Sequence, residues 1–310
     1  MPSASRLTRR RVLRNSSALL AAAALPHSLF ADITLPVLEV ASAGSIRPLL
    51  EGPMKAAVAT ELRLDLQEHG GGADAVAHEI LTGTLRPDLF VPVTATPMLT
   101  LLQAGLAIAA TPIARSELVL TYSPKSRFVE QLAQAASGKL AWWEVLQQPG
   151  LKIGRGNPAA DPGARCILFA MMLAEKKYKL PGLAQRLLGP ALNPAQVMPN
   201  VGVLLKSGEL DVSASYKVSA IAAGMPYIPL APEINLSHAD VRAANPEVQL
   251  EIEGKSLRPD PIIFYAAVLK AAPHPAAAEA FFRWLVTPAA QAIFVGAHYE
   301  LPGKLAQLTA

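Results

Sequence analysis

Short apolar runs typical of β-strands alternate along this chain with longer segments typical of helices. From residue 32 onward, strand-like runs at 37–41, 62–67 and 89–93 are separated by helix-like segments at 46–60 and 74–83. Such alternation is the pattern of an α/β fold with mainly parallel strands. The first part of the chain is therefore predicted to be a βαβαβ unit.

A second series of strand-like and helix-like segments follows the first. It opens with a strand at 117–122 and continues through a long helix at 163–177 to a strand at 211–215. The remainder, from Met225 onward, is rich in proline and includes two helix-like segments. A first lobe that is closed by C-terminal helices, with a second lobe inserted into it, accounts for this order.

The predicted lobe 1 comprises residues 32–114 and 226–310, and the predicted lobe 2 comprises residues 115–225. Each lobe is expected to be a mainly parallel sheet flanked by helices, with a cleft between the lobes. The chain would cross between them near 113–115 and again near Met225.

The first 31 residues have the pattern of an export signal. An arginine-rich start precedes an uncharged, Ala- and Leu-rich stretch at 15–25 and a small residue, Ala31. The segment 8–14 matches the twin-arginine motif position by position, and an ordinary secretory leader rich in arginine is the alternative. The apolar stretch is shorter than the about 20 residues that cross a bilayer. Both pathways predict a protein of the periplasm.

The charge and the cysteine content of the chain argue against nucleic-acid binding and against a cysteine-based metal site. The chain has 28 Lys and Arg and 24 Asp and Glu residues, and five of the arginines lie in the predicted leader. The remainder is close to neutral, so the charge predicts no nucleic-acid binding. The single cysteine, Cys166, excludes an internal disulfide and a cysteine-based zinc site. The histidines are scattered, and we predict no metal and no cofactor.

Three loops between strands and helices are candidate anion sites. At the carboxyl end of a strand, the next helix can direct free N–H groups toward an anion. Loop 41–45 brings Ser45, which can cap a helix or donate its hydroxyl, and loop 69–74 contains three consecutive glycines. Loop 154–163 precedes the long helix, with Asp161 as its predicted N-cap. Singly, each loop also fits an ordinary cap or turn; in succession they favour an anion.

In the order and spacing of short fragments, the chain resembles the molybdate/tungstate-binding proteins of ABC importers, including the archaeal tungstate type. The resemblance covers nearly the whole chain after the leader. Its fragments are Ala43-Gly44-Ser45, the glycine turn before Ala73, 113–122, 143–146, 152–154, Asn157-Pro158, Asp161-Pro162, 207–211, Tyr216-Lys217 and 233–236.

The resemblance implies a two-lobed type II periplasmic-binding fold with the anion in the cleft. It also implies a monomer that works with a membrane permease and its ATPase, and that is not an enzyme. The anion would be bound by hydroxyls and main-chain amides, with one carboxylate beside them. The implied ligand-binding residues are Ser45, Ala73, Asp161, Gly163, Asn200 and Tyr216.

The chain departs from the family's pattern at three positions. Ala73 stands where the family usually has a serine, and Ala164 where it usually has a glycine. Asp161 matches the first of two carboxylates that expand the metal's coordination in the archaeal type, but Lys206 aligns with the second. These departures disfavour six-fold coordination.

Neutral donors suit a fully ionised oxyanion, which offers only acceptors. Each hydrogen bond to a charged group contributes roughly 1.5–3 kcal/mol, and the positive ends of helices add to this.

Two alternative functions remain open. One is a binding protein for sulfate, thiosulfate or a small organic anion, for which Trp142, Trp143 and Tyr178 could supply an aromatic pocket. The other is a bilobal enzyme, although phosphate-loop, zinc-protease and serine-hydrolase motifs are absent from the sequence.

Overall fold

The computed structural model describes residues 34–310, so the predicted leader at 1–31 lies outside the described part of the chain. Residues Leu35–Ala310 form one unit. Its strands are β1 (Val37–Ala43), β2 (Asp65–Gly71), β3 (Leu89–Val91), β4 (Ala109–Arg115), β5 (Leu118–Tyr122), β6 (Val212–Tyr216), β7 (Tyr227–Pro229), β8 (Leu250–Ile252), β9 (Lys255–Leu257), β10 (Ile263–Val268) and β11 (Leu308–Thr309).

Helices connect most of these strands. They are α1 (Arg47–Leu49), α2 (Lys55–Glu61), α3 (Ala73–Thr82), α4 (Ala95–Gln103), α5 (Val129–Ala136), α6 (Trp142–Val145), α7 (Pro162–Tyr178), α8 (Leu183–Leu188), α9 (Val201–Ser207), α10 (Lys217–Ala222), α11 (Val241–Ala244), α12 (Pro275–Leu285) and α13 (Pro288–Gly296). A π-helical turn, Leu50–Met54, joins α1 to α2. Within residues 34–310, no helix combines the length and the apolar character needed to cross a bilayer.

Two main sheets organise the unit. The first has six strands in the order β11-β4-β10-β3-β1-β2, and the second has three in the order β6-β5-β7. In the first sheet β1 is parallel to β2 and β3, whereas β10 runs antiparallel to β3 and β4. A short hairpin of β8 and β9 lies apart from both sheets.

The second sheet corrects the expectation of mainly parallel strands. Its central strand β5 is antiparallel to both β6 and β7. The strands β6 and β7 run in the same direction and are joined by α10, as in a βαβ unit. Because β5 lies between them, the parallel pair is separated and every pairing in this sheet is antiparallel. The first sheet is mixed.

The segments that connect the two sheets lie side by side. Residues 116–117 join β4 to β5, and the return runs from β7 to β10. The amide of Leu118 donates to the carbonyl of Asn235 over 2.8 Å, and the amide of Ser116 donates to that of Ile262 over 3.1 Å. Both connections come later in the chain than 113–115 and Met225. The division into lobes at 114/115 and 225/226 stays a prediction.

Helix α7 is central to the second half of the fold, and its limits follow from local chemistry. Asp161 accepts a hydrogen bond from the Gly163 amide over 2.9 Å, and Pro162 occupies the first helical position, where no amide is needed. The helix ends at Lys179, which adopts a left-handed conformation with φ of 56°. Most of its side chains are buried, including the run from Ala164 to Met171. The helix therefore presents buried faces to more than one neighbour.

Candidate functional site

The loop after β1 joins the loop after β2 at the edge of the first sheet. The Gly44 amide donates to the carbonyl of Gly71 over 2.9 Å, which fixes the start of the following helical segment. The hydroxyl of Ser45 is buried and has no hydrogen-bond partner among residues 34–310. Burying an unpaired hydroxyl costs free energy, so the position suits a group that meets a ligand.

The loop after β2 approaches the loop that precedes α7. Gly72 is extended and gives α3 no side-chain cap, while Ala73, the first helical residue, is 2% exposed. A Cβ atom at Gly72 would lie 3.4 Å from the carbonyl oxygen of Ala160. The N-terminus of α3, on the first sheet, therefore faces the N-terminus of α7, on the second.

The carboxylate of Asp161 already occupies the N-terminus of α7. The carboxylate accepts a hydrogen bond from the Gly163 amide. An anion that binds here would therefore have to share this amide with Asp161. Burial raises the pKa of Asp161, and the hydrogen bond from Gly163 opposes part of that rise. The ionised carboxylate is thus held in an unfavourable environment beside the predicted anion position.

Tyr216 ends β6 and directs its hydroxyl toward Gly163. A Cβ atom at Gly163 would lie 3.3 Å from this hydroxyl oxygen, and the side chain is buried. In the described part of the chain, the hydroxyl has the Cys166 sulfur as its hydrogen-bond partner, at 4.0 Å. Burial raises the pKa of Tyr216 well above its usual range, so the phenol keeps its proton and stays a donor.

A cavity of about 580 Å³, called here the Tyr216 cavity, is lined by four of the predicted site residues: Asp161, Gly163, Asn200 and Tyr216. Asn200 precedes α9 in a left-handed conformation and makes no side-chain cap. Ser45 lines a smaller cavity of about 200 Å³ with Val218 and Tyr299. The structure therefore groups four predicted residues in one cavity and places Ser45 in another, while Ala73 lies where the two glycine loops meet.

An ion pair between a buried arginine and a partly exposed aspartate links the two halves of the fold and was not predicted. Arg165 on α7 is 6% exposed and donates to Asp74 on α3 over 2.7 Å, and it also donates to the carbonyl of Pro158. The sequence signals were a charged residue within an apolar helix and an acid directly after the glycine turn. Neither signal identifies the partner.

Arg155 is a second residue that the sequence analysis missed. It is 2% exposed and lines the Tyr216 cavity. Its guanidinium donates to the carbonyls of Pro190 and Ala191 and to the side chain of Gln196. Burial lowers the pKa of Arg155. The arginine of the Gly-Arg-Gly segment thus connects the cavity lining to the 190–196 segment by hydrogen bonds.

A family model for bacterial extracellular solute-binding proteins matches residues 38–300. The chain belongs to this family. It is 28% identical over 188 residues to an uncharacterized solute-binding protein of Petrotoga mobilis, covering 58% of this chain and 57% of that one. A putative ABC transporter molybdenum-binding protein of Haloferax volcanii is 29% identical, covering 81% and 77%. A molybdate/tungstate-binding protein of Thermococcus kodakarensis is 27% identical, covering 60% and 58%.

Solved structures of solute-binding proteins share the fold. The periplasmic molybdate-binding protein of Azotobacter vinelandii aligns with a TM-score of 0.57 at 20% identity, covering 86% of this chain and 99% of that chain. The sulfate-binding protein SubI of Mycobacterium tuberculosis aligns with a TM-score of 0.58 at 18% identity, covering 87% of each. The predicted two-lobed type II periplasmic-binding fold is confirmed. The chain spans a little under three fifths of the lengths of the Petrotoga and Thermococcus proteins.

We expect Asp74→Asn to loosen the contact between α3 and α7. The change leaves the Arg165 guanidinium buried without its counter-charge, and we discount the cost to about 1–2 kcal/mol because Asp74 is partly exposed. Such a loss corresponds to a roughly 5- to 30-fold shift in the equilibrium between the docked and the separated arrangement of α3 and α7. Small-angle scattering should show a larger radius of gyration. Glu51→Gln, which removes an exposed pair with Arg47, is the control; equal compactness of all three proteins would contradict the prediction.

Proposed function

We propose that this chain is the extracytoplasmic solute-binding component of an ABC importer and that it binds a tetrahedral oxyanion, molybdate or tungstate. The family membership supports the transport role. The Haloferax molybdenum-binding and Thermococcus molybdate/tungstate-binding relatives, at 29% and 27% identity, support the ligand. A permease and its ATPase would be the partners, and the predicted leader would direct the protein to the periplasm.

The observation that carries the ligand proposal is that two predicted hydroxyl donors lack an oxygen or nitrogen acceptor among the described residues. Ser45 is without a partner among the described residues, and Tyr216 contacts only a sulfur there at hydrogen-bond distance. Because Ser45 and Tyr216 line separate cavities, one dianion would accept from both hydroxyls only when the two loops approach each other on binding. Each such bond contributes roughly 1.5–3 kcal/mol.

The proposed site combines these hydroxyls with main-chain amides. The uncapped N-terminus of α3 offers the Ala73 amide, so the missing serine hydroxyl at this position leaves one donor in place. On the second sheet, Gly163 offers an amide and Asn200 an uncapped helix start. The positive ends of helices α3 and α7 favour negative charge without a lysine or arginine ligand.

Asp161 competes with the oxyanion for the Gly163 amide. An ionised carboxylate next to a dianion also repels it, and the raised pKa of Asp161 shows that its burial already disfavours the charge. We therefore propose a four-coordinate oxyanion rather than one whose metal is ligated by the carboxylate. A single carboxylate with Lys206 in place of the second fits this proposal.

Asp161→Asn tests this arrangement. Asparagine keeps an acceptor for the Gly163 amide but removes the charge, so molybdate should bind at least as tightly as to the parent. Because the folded-state pKa of Asp161 is raised, the stability that its protonated form provides is present at acid pH and is lost as pH rises through that pKa. The Asn variant should therefore gain stability over the parent as pH increases toward neutral.

Two measurements decide between the outcomes for Asp161. Calorimetric titration at neutral pH gives the affinity, and urea unfolding at acid and neutral pH gives the stability difference. A more than tenfold loss of molybdate affinity would mean that the carboxylate ligates the metal. Removing an exposed carboxylate, as in Glu130→Gln on α5, controls for the change in net charge.

The direct test of the function is calorimetry of the purified protein against molybdate, tungstate, sulfate, thiosulfate and phosphate. We expect the first two to bind most tightly, because a site of donors alone disfavours protonated phosphate. Mass spectrometry of the protein purified without added ligand gives an independent reading. Tight binding of sulfate or of an organic solute, with none of molybdate or tungstate, would leave only the solute-binding role.

The aromatic residues that could favour an organic solute do not line the Tyr216 cavity. Trp143 packs against Tyr178 with ring centroids 4.1 Å apart, and Trp142 meets Trp143 edge to face at 5.4 Å. Their contacts are with one another, which favours a structural role.

A further inference from the structure

A second cavity lies on another face of α7. It has a volume of about 430 Å³ and receives Pro162, Arg165, Cys166 and Phe169 from this helix. The Tyr216 cavity receives Gly163, Ala164 and Ile167 instead. Residues three and four apart share one face of a helix, so the two sets mark different faces. We call this second space the Thr94 cavity.

The Thr94 cavity contains a buried polar group that has no partner. Thr94 is 1% exposed, lines the cavity, and its hydroxyl makes no hydrogen bond to any residue from 34 to 310. It precedes α4, a nine-residue helix, and does not cap that helix with its side chain. Thr94 and Thr96 both line the cavity, so the unpaired hydroxyl lies beside the first turn of α4, in which Pro97 has no amide.

Positive charge predominates around this corner. Arg165, Arg242 and Arg258 line the cavity, whereas Asp260 is its one acidic lining residue. That carboxylate is already paired with Arg242 and accepts the Thr96 hydroxyl. The Nε of Arg242 is buried without a partner in the described range, and Arg258 forms no ion pair there. Arg165 and Arg242 are already paired, with Asp74 and Asp260. The donors that an anion would meet here are therefore the Nε of Arg242 and the guanidinium of Arg258, beside the N-terminus of α4.

The cavity is larger than a bare oxyanion requires and is partly apolar. Leu99, Phe169 and Leu257 form part of its lining. Pockets for small organic ligands are typically about 300–1,000 Å³ and combine apolar walls with a few placed polar groups. Both size and lining therefore favour an anion that carries an organic body.

We propose that the Thr94 cavity binds a small organic anion, separately from the oxyanion site. The anionic head would bind the Thr94 hydroxyl, the first turn of α4 and Arg242, and the organic body would pack against Leu99 and Phe169. This proposal does not depend on the identity of the ligand at Tyr216. A ligand here contacts elements of both halves of the fold, α4 and α7, and so favours their association.

The test is calorimetric titration of the purified protein with succinate, benzoate and glycerol 3-phosphate, with inorganic sulfate as the bare anion. We expect at least one organic anion to bind, with about tenfold weaker affinity in Thr94→Val and in Arg242→Lys. Thr94→Val should not reduce stability, since it replaces an unpaired buried hydroxyl by a group of the same shape. Thr82→Val, whose hydroxyl is already bonded to the carbonyl of His78, is the matched control.

Three outcomes would overturn the proposal. They are no binding of any organic anion, binding that neither the Thr94 nor the Arg242 variant weakens, and binding that saturating molybdate abolishes completely. The last would place both ligands in one site. Loss of molybdate binding in Ser45→Ala, with organic-anion binding retained, would support two separate sites. Failure of the oxyanion proposal is distinguished from failure here because the two sets of variants share no residue.

Discussion

Ser45→Ala and Tyr216→Phe should each raise the Kd for molybdate or tungstate by about ten- to hundred-fold, the cost of losing a hydroxyl donor to a charged acceptor. Ser45 is without a partner in the described part of the chain, and Tyr216 has only the distant Cys166 sulfur. Neither change opens a large cavity, so the free energy of unfolding should remain close to that of the parent. Calorimetry of both variants measures the effect.

Control variants separate the lost hydroxyl from general damage. Ser137→Ala removes an exposed hydroxyl that donates to Gln134, and Tyr178→Phe alters a tyrosine of the aromatic cluster; both should leave oxyanion affinity unchanged. If both site hydroxyls bind one anion, their combined loss will exceed either single loss, with a coupling measurable in a double-mutant cycle. Parental affinity in Ser45→Ala and in Tyr216→Phe would eliminate the proposed site.

Arg155→Ala is expected to lower the free energy of unfolding by about 3–5 kcal/mol, the range for large buried side chains replaced by alanine. The change removes three charge-assisted hydrogen bonds, to the Gln196 side chain and to the carbonyls of Pro190 and Ala191. Equilibrium unfolding in urea, with the slope checked for constancy, measures the loss.

Two comparisons show whether the packing or the hydrogen bonds of Arg155 matter more. Arg155→Met keeps most of the volume and loses the donors, so a smaller loss than in the alanine variant identifies the packing contribution. Arg186→Ala removes an exposed arginine that bonds to Gln147 and Pro181, and it should change stability by less than about 1 kcal/mol. If Arg155→Ala is as stable as this control, the hydrogen bonds and packing of Arg155 do not contribute to stability.

Several elements could be predicted because their causes lie within a few neighbouring residues. The start of α7 follows from Asp161, Pro162 and Gly163, and the structure has the cap that those residues predict. The strand predicted at 211–215 is present one residue later, at Val212–Tyr216. The helix predicted at 46–60 is instead interrupted at Leu50–Met54, where Pro53 removes an amide donor and Gly52 leaves the helical conformation.

The sequence by itself therefore determined the fold class, the N-cap of α7 and the positions of Ser45 and Tyr216 near strand ends, since caps and turns depend on local hydrogen bonds. Only the tertiary structure decided the antiparallel second sheet, the pairing of Arg165 with Asp74 and the burial of Arg155. Asp74 is 91 positions from Arg165, and its selection as partner depends on how α3 and α7 dock. Such long-range contacts are set by packing over the whole chain, for which no short segment carries a signal.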